Sequence, residues 1–139
     1  MERIRTAGLC ATAAGLIALG TTGVAGASTT VPFRIDPASF GNPHGSFDVP
    51  PLECVAVVDE QPGTVRISGG KPEGWGCLIF AEVNWLNLST GASGTARTSD
   101  GLHGFPPEAV IDTGSGQVVL VLRPAAGVVT PGFATFYVP

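Results

Sequence analysis

Residues Cys77 to Leu88 read CLIFAEVNWLNL, the longest β-prone run in a chain of 139 residues. Cys77, Ile79, Ala81, Val83 and Trp85 alternate with Leu78, Phe80, Glu82, Asn84 and Leu86. The first set is apolar throughout and the second carries Glu82 and Asn84, so a period of two sets one face on a core and the other in water. The run is therefore expected to be one strand with Trp85 in the core. No window of a dozen residues beyond residue 27 keeps helical spacing free of Gly, Pro or β-branched clusters, so helices are expected to be nearly absent there.

Shorter runs of the same kind surround it. Val31 to Ile35, Cys54 to Val58, Thr64 to Ser68, Gly94 to Thr98, Ala109 to Asp112, Gln117 to Arg123 and Gly132 to Val138 are bounded by turn residues such as Gln61-Pro62-Gly63. A Pro/Gly-rich passage from Asp36 to Pro51 is expected to cross the surface. In QVVLVLR and FATFYV the apolar character is nearly continuous, which fits strands covered on both faces or near a sandwich edge. Seven or eight short strands predict an all-β, antiparallel, immunoglobulin-like β-sandwich, with a small closed barrel as the alternative.

The first 27 residues have a different character. Arg3 and Arg5 precede an apolar run from Ala7 to about Gly26, and Ala25-Gly26-Ala27 is a small-x-small cleavage site, the three parts of a secretory signal peptide. Gly15, Gly20, Thr21, Thr22 and Gly23 dilute the apolar run, and no basic stop-transfer cluster follows, which disfavours a membrane anchor. Residues 1–27 are read as a cleaved leader and residues 28–139 as one secreted domain, located outside the cell or in its envelope. Within that domain ten carboxylates face five basic side chains, a formal charge of −5. Such a surface repels phosphate backbones and anionic lipid, so neither nucleic acid nor, after leader removal, a membrane is an expected partner.

Cys54 and Cys77 are the two cysteines of that domain, and an even count in a small exported chain reads as one disulfide. The loop they close spans about 24 residues, worth roughly 3 kcal/mol by chain entropy. Trp85 lies beyond both cysteines, unlike the core tryptophan of an antibody domain, so the bridge is expected to tie neighbouring strands or a strand to a loop. No metal site or cofactor is expected, since a zinc site would need two more good ligands.

VIDTGSG, Val110 to Gly116, has the form of an aspartic-peptidase signature. That chemistry needs two carboxylates sharing a proton, a flap, and a second supporting segment downstream. Only 27 residues follow Asp112, and two strands consume most of them. Asp112-Thr113-Gly114 is therefore read as a turn, and the chain as not an enzyme. A Ser-His-Asp set built on His103 and Asp100 lacks a nucleophile elbow, and a copper or zinc contact from His44 and His103 would need the fold to bring them together. Asn87-Leu88-Ser89 fits an N-glycosylation acceptor.

Trp75, between Gly74 and Gly76, has little local chain to cover it: it is either a lid on the disulfide or an exposed platform. With Phe40, His44 and Phe105 it marks the expected contact region, where apolar side chains stand among Gly and Pro.

VNWLNLSTGASGTART, VIDTGSGQVVLVL and the terminal PGFATFYVP together resemble small exported proteins of mycolic-acid-containing actinobacteria. Those proteins follow W-x-N-x-x-T-G-x-x-G-x-A and then a T-G-x-G turn. Trp85, Asn87, Thr90, Gly91, Gly94 and Ala96 carry the first pattern, and Thr113, Gly114 and Gly116 the second. The resemblance implies an exported compartment and an immunoglobulin-like sandwich, and no substrate. The functional expectation is a non-enzymatic binding or structural module presenting loops to a protein or a cell-wall glycan. The alternatives are a secreted hydrolase inhibitor acting through Gly69-Gly70-Lys71-Pro72-Glu73, or a small hydrolase.

Overall fold

The computed structural model describes residues 27–42, 44–45, 52–71, 74–127 and 129–139. The expected leader, Ala27 apart, lies outside the described residues. Ten strands and no helix occur among those described: β1 (Thr29–Pro32), β2 (Ala38–Ser39), β3 (Cys54–Val58), β4 (Thr64–Gly69), β5 (Glu82–Asn87), β6 (Ser93–Arg97), β7 (Ala109–Asp112), β8 (Gly116–Arg123), β9 (Val129–Thr130) and β10 (Gly132–Val138). They form two four-stranded antiparallel sheets, β1-β3-β4-β7 and β10-β8-β5-β6, and a two-residue ladder between β2 and β9.

The two large sheets share one core. Ala56, Val58, Val65, Ile67 and Ile111 of the first sheet meet Val83, Val118, Leu120, Leu122, Phe136 and Val138 of the second in a single buried cluster. Alternation explains the division of labour: β8 and β10 bury every second residue, and Leu120, Leu122 and Val138 are fully enclosed. Their other face is open, with Val121 and Tyr137 exposed, and β10 stands at the edge of its sheet, so cover on both faces holds for neither strand and the edge position holds for β10. Hydropathy alone misses this because both faces are apolar.

The long run at Cys77–Leu88 is the main departure. Its strand begins only at Glu82, because Gly76 and Phe80 take positive φ (63° and 50°) and turn the chain out of the pleat. The buried Thr98 hydroxyl holds that turn, donating to the Leu78 carbonyl and accepting from the Ala81 amide at 2.8 Å. Cys77, Ala81 and Val83 still reach the core, whereas Ile79 is exposed and Trp85 is only half-buried against the core. The Trp85 ring lies over its cross-strand partner Gly94, where an added Cβ would stand 2.9 Å from Cζ2. Among the described residues β6 is the edge strand of this sheet.

Register sorts the connections into two ends. The links 59–63, 88–92 and 113–115 are short and gather at one end. The long links 33–53, 70–81, 98–108 and 124–131 gather at the other. Asn87 organises the short end. It is fully buried; its Nδ2 donates to the carbonyls of Thr113 (3.0 Å), Gly114 (3.3 Å) and Ser115 (3.0 Å), and its Oδ1 accepts from the amides of Ser89 (2.9 Å) and Thr90 (3.2 Å). One side chain thus ties the β5–β6 hairpin to the link between the sheets. Its amide nitrogen is occupied and enclosed, so the acceptor sequence at Asn87 offers no glycosylation site in the folded protein.

Candidate functional site

Asp112-Thr113-Gly114 lies at the short end. Asp112 closes β7, and Thr113–Ser115 carry the chain into the opposite sheet, making an arch between sheets rather than a hairpin. Asp112 Oδ1 accepts from the Gly114 amide at 3.4 Å, and the amides of Thr113 and Gly114 both donate to Gly63 O at 3.0 Å. The motif serves as a backbone junction, and among the described residues no group of three or more His, Cys, Asp or Glu stands placed to hold a metal ion.

The four nominated contact residues lie on long links at the other end, in two parts. Phe40, 66% exposed and at φ 60°, packs against Gly127 of the 124–131 link. His44 is exposed nearby in sequence, but neighbours 43 and 46–51 lie outside the described residues. Trp75 and Phe105, 57% and 72% exposed, belong to the adjoining links 70–81 and 98–108. These also expose Ile79, Phe80 and Leu102, which strand periodicity had hidden or passed over. The missed signal was Gly101 and Gly104 on either side of the Leu102 segment, marking turns that push its side chain outward.

The backbone beneath these side chains is clamped. A Cβ on Gly69 would stand 2.1 Å from Gly76 O, and one on Gly76 would stand 2.7 Å from Pro107 O, so the end of β4 and the two links stack at van der Waals contact. The Cys77 amide donates to Pro107 O at 3.0 Å, and the Cys54–Cys77 disulfide fixes the 70–81 link to β3 with a Cα–Cα distance of 5.2 Å. The bridge therefore ties a strand to a loop, as expected. Phe80 N donates to Ser99 O (3.3 Å), Ser99 N to Glu108 O (3.0 Å) and Leu102 N to Asp100 Oδ1 (3.0 Å). A Cβ on Gly101 would lie 3.4 Å from both Trp75 Nε1 and Ile79 Cγ2, so indole, isoleucine and Gly101 meet at one point. Trp75 is thus no lid on the disulfide; it is an exposed indole on a fixed base.

Lys71 and Asp100 stand on these two links. Lys71 Nζ approaches Glu53 Oε1 at 3.9 Å, so the basic group of the expected inhibitor loop faces a carboxylate, while Pro72 and Glu73 lie outside the described residues. Asp36 Oδ1 accepts from the Cys54 amide at 3.3 Å. Burial raises its carboxyl above the ordinary range, and that hydrogen bond opposes the rise. On the outer face of the first sheet Arg66 bridges Glu60 (2.6 Å) and Glu108 (2.9 Å). The hydrogen bond from Arg66 lowers the Glu60 carboxyl, and Glu60 in turn raises the guanidinium. No protein-family model, no curated protein and no solved structure matches this chain.

Proposed function

We propose that the protein is an exported, non-catalytic recognition module that docks a partner protein through the paired loops 70–81 and 98–108. One observation carries the reading: five large apolar side chains, Trp75, Ile79, Phe80, Leu102 and Phe105, stand exposed on two adjoining loops whose backbone is clamped. Exposed aromatics on a rigid base are what binding hot spots require, because little conformational freedom remains to be lost on docking. The mixture of indole and phenyl with aliphatic side chains favours a protein pocket over a glycan, which needs hydrogen-bonding groups around its stacking platform. β1 begins at Thr29, at the opposite end of the sheets from these loops.

The fold that supports this reading is the immunoglobulin-like sandwich. Taking β3, β4, β5, β7, β8 and β10 as strands A, B, C, E, F and G, the observed order gives A beside B beside E and G beside F beside C. β6 lies beside C, and β1 extends the A edge.

The test is affinity capture by the oxidised protein from envelope extract and from a cell-wall glycan panel, followed by titration of the captured component. Trp75→Ala should leave the thermal transition within a few degrees and weaken binding by more than about thirty-fold, as a hot-spot residue does. Capture of a glycan alone would move the assignment to carbohydrate, and unfolding of the variant would make Trp75 a structural residue.

A further inference from the structure

We propose that the Cys54–Cys77 bond assembles the loop site rather than the sheets, so that the recognition surface exists only in the oxidised chain. The proposal rests on the contact reading of loops 70–81 and 98–108 given above. Cys54 opens β3, and Cys77 lies two residues from Trp75 and two from Ile79. Both large sheets close through backbone ladders, and their shared core includes the two cysteines but draws most of its other side chains from the strands. The 70–81 link pairs in no ladder: the disulfide and the Cys77–Pro107 hydrogen bond hold its middle, beside Trp75, while Thr98 and Ser99 hold its end at Leu78–Ala81. Release of Cys77 therefore frees the segment that carries Trp75 and undoes its contact with Pro107.

Both cysteines are buried, at 1% and 3% exposure, so thiol reagents reach neither sulfur while the loop is docked. Oxidation must precede docking. One cysteine thiolate attacks a disulfide of an external thiol–disulfide oxidant, forming a mixed disulfide and expelling one oxidant thiolate. The second cysteine thiolate then displaces the other oxidant sulfur. Two electrons pass from the chain to the oxidant, which leaves as the dithiol after taking up the two protons that the cysteines released. The reduced chain keeps its sheets and lacks the ordered Trp75 surface.

Hydrogen exchange on the full chain tests this without any ligand, comparing the oxidised protein with wild type refolded under reducing conditions and with Cys54→Ala/Cys77→Ala. Amides of residues 74–78, the hydrogen-bonded Cys77 amide foremost, should exchange on the order of a hundred-fold faster in both altered forms while β5, β8 and β10 keep their protection. Unchanged exchange in that segment would overturn the proposal. Loss of protection in all strands together would do so equally, since the bond would then support the whole fold. Partner binding is not read here, so a failure of the contact assignment, judged with Trp75→Ala, remains distinct from a failure of this one.

Discussion

Replacing Asn87 by Asp changes one atom and reverses a fully buried junction. The Asn87 amide nitrogen supplies two hydrogens to three carbonyls, those of Thr113, Gly114 and Ser115, all within 3.3 Å. In the Asp variant an anionic oxygen faces those carbonyls instead, while the acceptor to Ser89 and Thr90 is retained. Each buried group left unsatisfied costs about 1–3 kcal/mol, and an unpaired buried charge raises the total to roughly 3–5 kcal/mol. That is a large fraction of the 5–15 kcal/mol typical of a single domain. The cost depends on pH in a defined direction. Burial and the carbonyls raise the folded-state pKa of the new carboxyl above its unfolded value, so the penalty is full above the folded pKa. It shrinks as pH falls through that value, because the protonated acid donates again. Equilibrium urea unfolding of the oxidised protein at pH 7 and pH 4 reads both effects, with Asn87→Ala as a control whose penalty stays flat with pH. A loss below about 1 kcal/mol at pH 7, or an Asp penalty equal at the two pH values, would refute the junction role.

Gly76→Ala forces a Cβ to within 2.7 Å of Pro107 backbone oxygen at a positive φ, so thermal unfolding should show a loss of about 1–3 kcal/mol, and partner binding should fall with it; a neutral result would mean the clamp is loose. Leu120→Ala opens a cavity among fully buried side chains of both sheets and should cost about 2–5 kcal/mol in urea, with an unchanged m-value. Asp36 has a folded-state pKa raised by burial, so its contribution to stability is fullest below the unfolded pKa and declines as pH rises through the folded one. Asp36→Asn keeps an oxygen for the Cys54 amide and removes that decline; urea unfolding should find the variant at least as stable as the parent at pH 7, and a clear loss there would contradict the assignment.

Most strands were legible because their cues are local. Period-two alternation, β-branched residues and the turn at Gln61-Pro62-Gly63 placed β3, β4, β7, β8 and β10 within a residue or two of where they lie. The disulfide followed from a count of two cysteines. Asn87 was passed over although it stands in phase with Val83 and Trp85, and an amide on the inward phase of a strand was the available sign of a buried hub.

Composition, periodicity and turn chemistry thus determined an all-β chain, most of its strand positions and its cross-link, since each depends on residues near one another in sequence. Tertiary structure decided which apolar residues face outward. Ile79 leaves the core because a hydroxyl 17 residues beyond Ala81, that of Thr98, bends the chain there. Asn87 is buried because carbonyls 26 to 28 residues away need a donor. Trp75 meets Ile79 over Gly101 only because the end of β4, the 70–81 link and Pro107 stack with no side chain on Gly69 or Gly76 to keep them apart. Contacts between segments far apart in sequence leave no periodic trace along the chain, so the site became readable only once the two sheets had brought their loops to one end.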